Sequence, residues 1–292
     1  MAGKFIRKTK RHLNLYFVLV IVVGLFFFAG PRYGKIIKNS PFWYFGRINF
    51  ALLGNQSVSI FSLEGNEARL LEFSPQEKID LPRGFGEYEL RKIYQLGELE
   101  KRGGQLSLET FQNSLNFPVV GYFYQDDLKF GNYTLLSDFK KIIGRSIRKK
   151  IKTNLNLTDL LILYFRTKRI SPLLFKKFEY RSEMDDFFKD EQIRREALAV
   201  EILNGTQHQG LAQKAAELWE NLGGRIIRVA DHSEQLSQSL LIARGESNKS
   251  YSYEIMKHFF KPDCRDLNGE ENRADMTLIL GDDYWKNMTE KW

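Results

Sequence analysis

Apolar and polar positions divide the chain into three stretches of different character. Leu13 to Gly30, LNLYFVLVIVVGLFFFAG, is an apolar run with no charged side chain and with Asn14 as its one strongly polar residue. As a helix it rises about 27 Å, close to the ~30 Å hydrocarbon core of a bilayer, so it predicts a transmembrane helix over 13–30. From Ile48 to Phe73, the runs RINFALLG, VSIFSLEG and ARLLEF are rich in strand-forming residues. Gly54 and Gly65-Asn66 punctuate them, which predicts strands joined by tight turns. Residues 90–101 and 106–115 read as helices separated by Gly103-Gly104, and FPVVGYFY at 117–124 reads as a buried strand. Then Leu135, Leu136, Phe139, Ile142, Ile143 and Ile147 recur at helical spacing, which leaves Lys140, Lys141, Arg145, Arg148 and Lys149 on the other face. Asn156 or Thr158 starts a further helix, LTDLLILYFRTKR. Residues 181–196 show no apolar period and read as a linker or connecting helix.

The last hundred residues have the cleanest pattern. Strands are predicted at 199–203, 225–230, 239–244 and 276–281, with helices at 211–222 and 252–260; Gly223-Gly224 closes the first helix. That order, βαββαβ, is the split βαβ arrangement. It buries one sheet face under two helices and so can fold as a unit. The fold class expected is therefore α/β and α+β: a transmembrane helix, an α/β domain, and a small βαββαβ domain.

Composition narrows the function. With 43% hydrophobic and 27% charged residues and seven prolines, the chain buries a core and is neither fibrous nor disordered. One cysteine, Cys264, excludes an intramolecular disulfide framework and a cysteine-rich zinc module. A net charge of +8 suggests nucleic acid, a membrane surface or an acidic polymer as partner. Lys4, Arg7, Lys8, Lys10 and Arg11 precede the apolar run, against Arg32, Lys35 and Lys38 after it, so positive-inside bias puts residues 1–12 in the cytoplasm and the rest outside. Phe27 stands two positions before Ala29, so the A-x-A signature of signal cleavage is missing and the run reads as an uncleaved anchor. That topology removes nucleic acid as a partner. A single cysteine outside the cell suits a bacterial surface protein, and the sequons at Asn55, Asn132, Asn156, Asn204, Asn248 and Asn287 read as chance.

Two stretches resemble known families. VEILNGTQHQGLAQKAAELWENLGGRI at 200–226 and ADMTLILGDDY at 274–284 resemble the LytR C-terminal domain. That domain commonly follows a LytR/CpsA/Psr (LCP) domain in membrane-anchored envelope proteins. The middle of this chain resembles a degenerate LCP domain through INFALLG, VSIFSLEGNEARLLEFSPQ, IDLPRGFG, LETFQNSLNFPVVGYFY and IKTNLNLTDLLILYF. The resemblance implies a degenerate LCP-like domain at 44–181, a linker at 182–196 and a LytR C-terminal domain at 197–292. LCP enzymes move glycopolymers from a polyprenyl-pyrophosphate carrier to peptidoglycan, using arginines and acidic residues around the pyrophosphate. This chain departs there. Phe73-Ser74-Pro75-Gln76-Glu77 stands where the family has Ser-Ile-Pro-Arg-Asp, the arginine-rich stretch shrinks to DDLKFGNYTLLSDFKK, and no aspartate matches the early family aspartate near Gln56-Ser57.

Stabilising a departing pyrophosphate needs aimed cations, and losing one such donor costs ~10² to 10³ in rate. The expectation is therefore a non-catalytic binding or scaffolding component of cell-wall glycopolymer attachment, without catalytic residues, metal or cofactor. The rival is an active glycopolymer phosphotransferase with a site rebuilt from Arg83, Arg145, Arg148 and Lys152. His208, His232, His258 and Cys264 are too irregularly spaced for a local metal site. The acidic pairs Asp126-Asp127, Asp185-Asp186 and Asp282-Asp283 read as solvated loops. The segment 137–181 holds 13 Lys and Arg against 3 acids, +10 in a chain of +8. Lys140, Lys141, Arg145, Arg148, Lys149, Lys152 and Arg83 are accordingly the candidate ligands for an anionic lipid or cell-wall polymer.

Overall fold

In the computed structural model, residues 40–128, 135–181, 186–267 and 273–289 are described. The chain divides into two units, Met1–Tyr44 and Phe45–Trp292. The first unit's described part is a helical turn, Pro41–Tyr44, begun by Ser40, whose Oγ accepts the Phe42 N–H at 3.2 Å. The apolar run 13–30 lies outside the described residues, among which no helix is long and apolar enough to cross a membrane.

In the second unit, β1 (Arg47–Leu53), β2 (Val58–Glu64) and β3 (Glu67–Phe73) form an antiparallel meander, Arg47 opposite Glu64 and Val58 opposite Phe73. Gly65, at φ 54°, supplies the left-handed residue of the tight β2–β3 turn. A hairpin of β4 (Lys78–Leu81) and β5 (Gly86–Glu89) forms its own small sheet. Then β6 (Gly121–Tyr124) joins β1 in parallel, β7 (Lys152–Thr153) pairs with β6, and β8 (Phe175–Glu179) joins β3, giving the order β7-β6-β1-β2-β3-β8. β1 is buried along its whole length, because both sheet faces are covered. On one face α1 (Ile93–Leu99), α2 (Gln105–Glu109) and the helical turn that follows at Thr110–Ser114 pack Ile93, Leu106 and Phe111 with Leu53, Ile60, Leu71 and Phe73. On the other, α3 (Leu135–Ile147) inserts Phe139 among Phe50, Phe61 and Phe123, with ring centroids 4.1 to 6.1 Å apart. α4 (Leu157–Thr167) packs beside α3.

Residues 186–196 are integral to this unit. Phe187 and Phe188 enter the core, and Asp190 caps α5 (Glu191–Glu196) through the Gln192 N–H at 2.8 Å. The second sheet holds β9 (Ala199–Asn204), β10 (Arg225–Asp231), β11 (Leu240–Arg244), β12 (Asp263–Leu267) and β13 (Met276–Leu280), in the order β10-β9-β13-β11-β12. α6 (Leu211–Asn221) joins the parallel pair β9 and β10, and α7 (Tyr251–Phe260) joins the parallel pair β11 and β12. β13 lies between the two strand pairs, parallel to β9 and antiparallel to β11. The expected split βαββαβ order is thus corrected: β12 is an additional strand, and β9 and β10 are direct neighbours. DCRDL has no apolar alternation because it forms a polar sheet edge. α8 (Asp282–Thr289) follows, unforeseen in the pattern.

Candidate functional site

α3 ends where Lys149 adopts φ 56°. Its N–H bonds Ser146 O at 2.8 Å, and the Lys150 N–H bonds Arg145 O at 2.8 Å, a left-handed helix stop. Arg148 and Lys149 therefore stand past the helix rather than along it. Phe139, Ile142 and Ile143 are buried, but Ile147, expected against the core, is 37% exposed at this turn. Lys141 pairs with Asp138 at 3.0 Å, and Arg148 Nε donates to Gly144 O at 3.0 Å. Lys140, Arg145 and Lys149 form no ion pair among the described residues, and Lys149 is exposed.

Beyond the turn, a groove of about 510 Å³ opens, with Tyr94, Ile147, Ile151, Leu155, Leu157 and Leu160 along it and Lys149 and Lys152 among its polar lining. Lys152 pairs with Glu98 at 2.9 Å and holds that carboxyl below the usual carboxylate range. Its ammonium also lies 5.5 Å from the Tyr94 ring, which stacks on Tyr124 at 3.5 Å. Burial, with Asp126 accepting its hydroxyl, pushes Tyr124 up to about 12. The groove is thus apolar and aromatic along its walls with fixed positive charge.

α4 presents its far side next to that groove. Asn156 and Asp159 form a capping box at its start, and the Arg166 guanidinium donates to Phe45 O and Gly46 O, each at 2.6 Å, near its end. These anchors turn Leu160, Leu163 and Thr167 inward. Leu157 (58% exposed), Leu161 (42%) and Phe165 (61%) then face out at four-residue spacing, as one apolar stripe. Lys168 reaches back over the Tyr164 and Phe165 rings at 4.8 and 5.5 Å, and Arg169 beside it is exposed. Cations therefore bracket the stripe: Lys149 and Lys152 near Leu157, and Lys168 at Phe165. LTDLLILYF has apolar residues on every side of the helix, so its pattern alone does not mark which ones stay exposed.

Arg83 stands apart from the other six candidates. It is 8% exposed, donates to Glu109 Oε2 at 2.6 Å, Glu109 Oε1 at 3.0 Å and Asn287 O at 2.5 Å, and lines a different cleft. Arg83, Arg145, Arg148 and Lys152 do not converge. At the family's motif position Gln76 is exposed, Pro75 O accepts the Arg91 N–H, and Glu77 pairs with Arg181 at 2.6 Å. Ser57 Oγ donates to Leu128 O at 2.6 Å. These groups are occupied in turns. His258 packs edge-on to Phe45 at 4.9 Å, His208 stacks on Trp285 at 3.8 Å, and Cys264 is exposed on β12. Asp283, expected in a solvated loop, instead starts α8 and accepts the Ser239 N–H and Oγ–H at 2.8 and 2.7 Å.

Residues 197–284 match the family described as LytR cell envelope-related transcriptional attenuator, so the second sheet carries a LytR C-terminal domain. No curated protein matches the chain. Among solved structures, the chain is similar to a transcriptional regulator of Enterococcus faecalis, at 8% identity over 61% of this chain and 88% of that one, with a TM-score of 0.37. It is similar also to TagT of B. subtilis, at 14% identity, 61% and 91% coverage and a TM-score of 0.33. For TagU of B. subtilis the values are 13%, 46%, 84% and 0.31.

Proposed function

We propose that this is a single-pass bacterial envelope protein whose extracytoplasmic body rests its α3–α4 face on an anionic lipid surface, binding headgroups without chemical turnover and serving as a scaffold in glycopolymer attachment. The observation that carries the reading is the α4 stripe of Leu157, Leu161 and Phe165, exposed and bracketed by cations. An apolar helix face with basic flanks suits the boundary between headgroups and acyl chains, where apolar burial and attraction to anionic lipid act together. The basic charge of segment 137–181 adds about 1 kcal/mol for each Lys or Arg that reaches the surface. The envelope setting is supported by the LytR C-terminal domain. The non-catalytic part is supported by the scatter of the arginines: Arg83 is held by Glu109 in a separate cleft from the α3 end that carries Arg145 and Arg148, which leaves a departing pyrophosphate without an assembled cradle.

The test is co-sedimentation of the Phe45–Trp292 unit with phosphatidylglycerol or phosphatidylcholine vesicles. Binding is expected to phosphatidylglycerol alone and to weaken steeply with salt. Arg145→Gln, Arg148→Gln and Lys149→Gln together should lower the affinity by about two orders of magnitude at ~1 kcal/mol each. Leu161→Gln with Phe165→Gln should also release the protein. Equal binding by wild type and both variants would overturn the reading.

A further inference from the structure

The cleft that Arg83 lines has a volume of about 670 Å³ and lies where the two sheets of the Phe45–Trp292 unit meet. α2 supplies Glu109 to it, the end of α7 supplies Lys261, and α8 supplies Lys286. Five cations line it, namely Arg83, Lys101, Arg102, Lys261 and Lys286, against one carboxylate, Glu109. Both oxygens of that carboxylate are already taken by Arg83. Lys101, Lys261 and Lys286 are exposed and form no ion pair among the described residues. These three lysines therefore bring to the cleft positive charge that no ion pair among the described residues offsets.

A second feature sets it apart. Among the described residues, seven non-glycine positions hold a positive φ, and three of them are cations of this one cleft: Arg83 at 64°, Lys101 at 61° and Lys261 at 48°. Lys261 occupies the left-handed position that ends α7, its N–H on Lys257 O at 3.0 Å, where glycine is the residue of lowest conformational cost. Backbone strain of this kind gathers where a ligand is held. The cleft also lies apart from the α3–α4 groove: the two share no lining residue, and none of Gln56, Ser57 or Ser74 to Glu77 lines it.

We propose that this junction cleft is a second anion site, which takes a ligand bearing two or more closely spaced phosphates. Charge density selects phosphate. A monoester phosphate brings about −1.5 to −2 at neutral pH with three acceptor oxygens, whereas a carboxylate brings −1 with two. Several lysines and an arginine around one cleft of this size are matched by the former. Arg83, locked by Glu109, sets the wall, and the three unpaired lysines close on the ligand from separate elements.

The experiment is calorimetric titration of the full chain in mild detergent with tripolyphosphate, orthophosphate and citrate. Tripolyphosphate is expected to bind, and orthophosphate and citrate to bind at least about tenfold more weakly. The Lys101→Gln, Lys261→Gln, Lys286→Gln variant should lose at least about tenfold in tripolyphosphate affinity, and Lys286→Glu, a single change on an exposed helical position, should lose affinity as well. The Arg145→Gln, Arg148→Gln, Lys149→Gln variant should bind tripolyphosphate like wild type. The proposal is overturned if the cleft variants bind as wild type does, if citrate binds as well as tripolyphosphate, or if affinity is lost in the α3 variant instead.

Discussion

Asp190 accepts the Arg47 N–H at 2.8 Å, the Tyr251 hydroxyl at 2.6 Å and the Gln192 N–H at 2.8 Å while 2% exposed. Tyr251 in turn accepts the Gly46 N–H at 2.7 Å, so one carboxylate ties the start of β1, α5 and α7 together. Asp190→Ala strands several buried donors at once and should cost about 3 kcal/mol or more in urea unfolding; a loss under about 1 kcal/mol would show that water replaces them. His258 offers a pH readout. Burial, with Lys261 adding repulsion, pushes its pKa down to about 4 from 6.5. The folded state then binds the proton less readily than the unfolded chain. The stability due to neutral His258 is present above pH 6.5 and is lost as pH falls toward 4, by up to about 3 kcal/mol. His258→Phe should flatten that part of the stability profile, and an unchanged slope would place the titrating group elsewhere. At this scale the sequence told charge from its absence but not partners. Helical spacing puts Lys140, Lys141 and Arg145 on α3, but does not mark the left-handed stop that leaves Arg148 and Lys149 past its end. Arg83's attachment to Glu109, 26 positions away, was not legible either, because no local pattern encodes a contact made by the tertiary fold.

Local pattern marks elements well where one face is buried and the other is wet. α6 and α7 fall within a residue or so of their expected spans, since Leu211, Ala215, Leu218 and Trp219 repeat at helical spacing and Ser250 caps α7 through the Tyr253 N–H at 3.0 Å. β4, β5, β7, β8 and β12 went unread. They are two to five residues long, and β7, β8 and β12 sit at sheet edges, where side chains carry little alternation. Among the stop signals, Gly224 has the most specific reason to be glycine. A Cβ there would lie 2.0 Å from Trp219 Nε1, and Trp219 is fully buried. Gly224→Ala must push the indole or the start of β10 aside, which should cost about 1–3 kcal/mol in unfolding free energy. Gly210, where a Cβ meets nothing within 4 Å, is the comparison: its cost comes from φ 77° alone. Should Gly224→Ala be no worse than Gly210→Ala, the close approach to Trp219 would not be what selects the glycine.

At the scale of the molecule, the two sheets were legible as separate patterns, but the bonds between them were not. Asn116 donates to Glu217 at 2.6 Å, Asn221 donates to Asn116 O at 2.8 Å, and Arg83 holds Asn287 O, so the second sheet docks on the first through α6 and α8. The segment between the sheets adds a further tie. Glu196 accepts the Tyr251 N–H, the Ser252 N–H and the Ser252 hydroxyl at 2.8, 2.7 and 2.6 Å, capping α7 from a residue that precedes the β9 strand. A fragment beginning at 197 retains both βαβ units and the strand that joins them, so it keeps a core of its own, but it loses Glu196 and Asp190. Deleting a helix cap costs about 1 kcal/mol, and the buried Tyr251 hydroxyl loses its acceptor as well. A fragment beginning at 186 retains both residues together with the Asp190 N–H bond to Leu222 O at 2.9 Å. Both fragments should unfold cooperatively in a thermal scan, with the longer one melting roughly 4–8 °C higher for each 1 kcal/mol it keeps, as expected for a domain of this size. Equal melting temperatures would mean that Glu196 and Asp190 serve only to orient the two sheets, while a 197–292 fragment without a cooperative transition would place the boundary of the C-terminal domain upstream of α5.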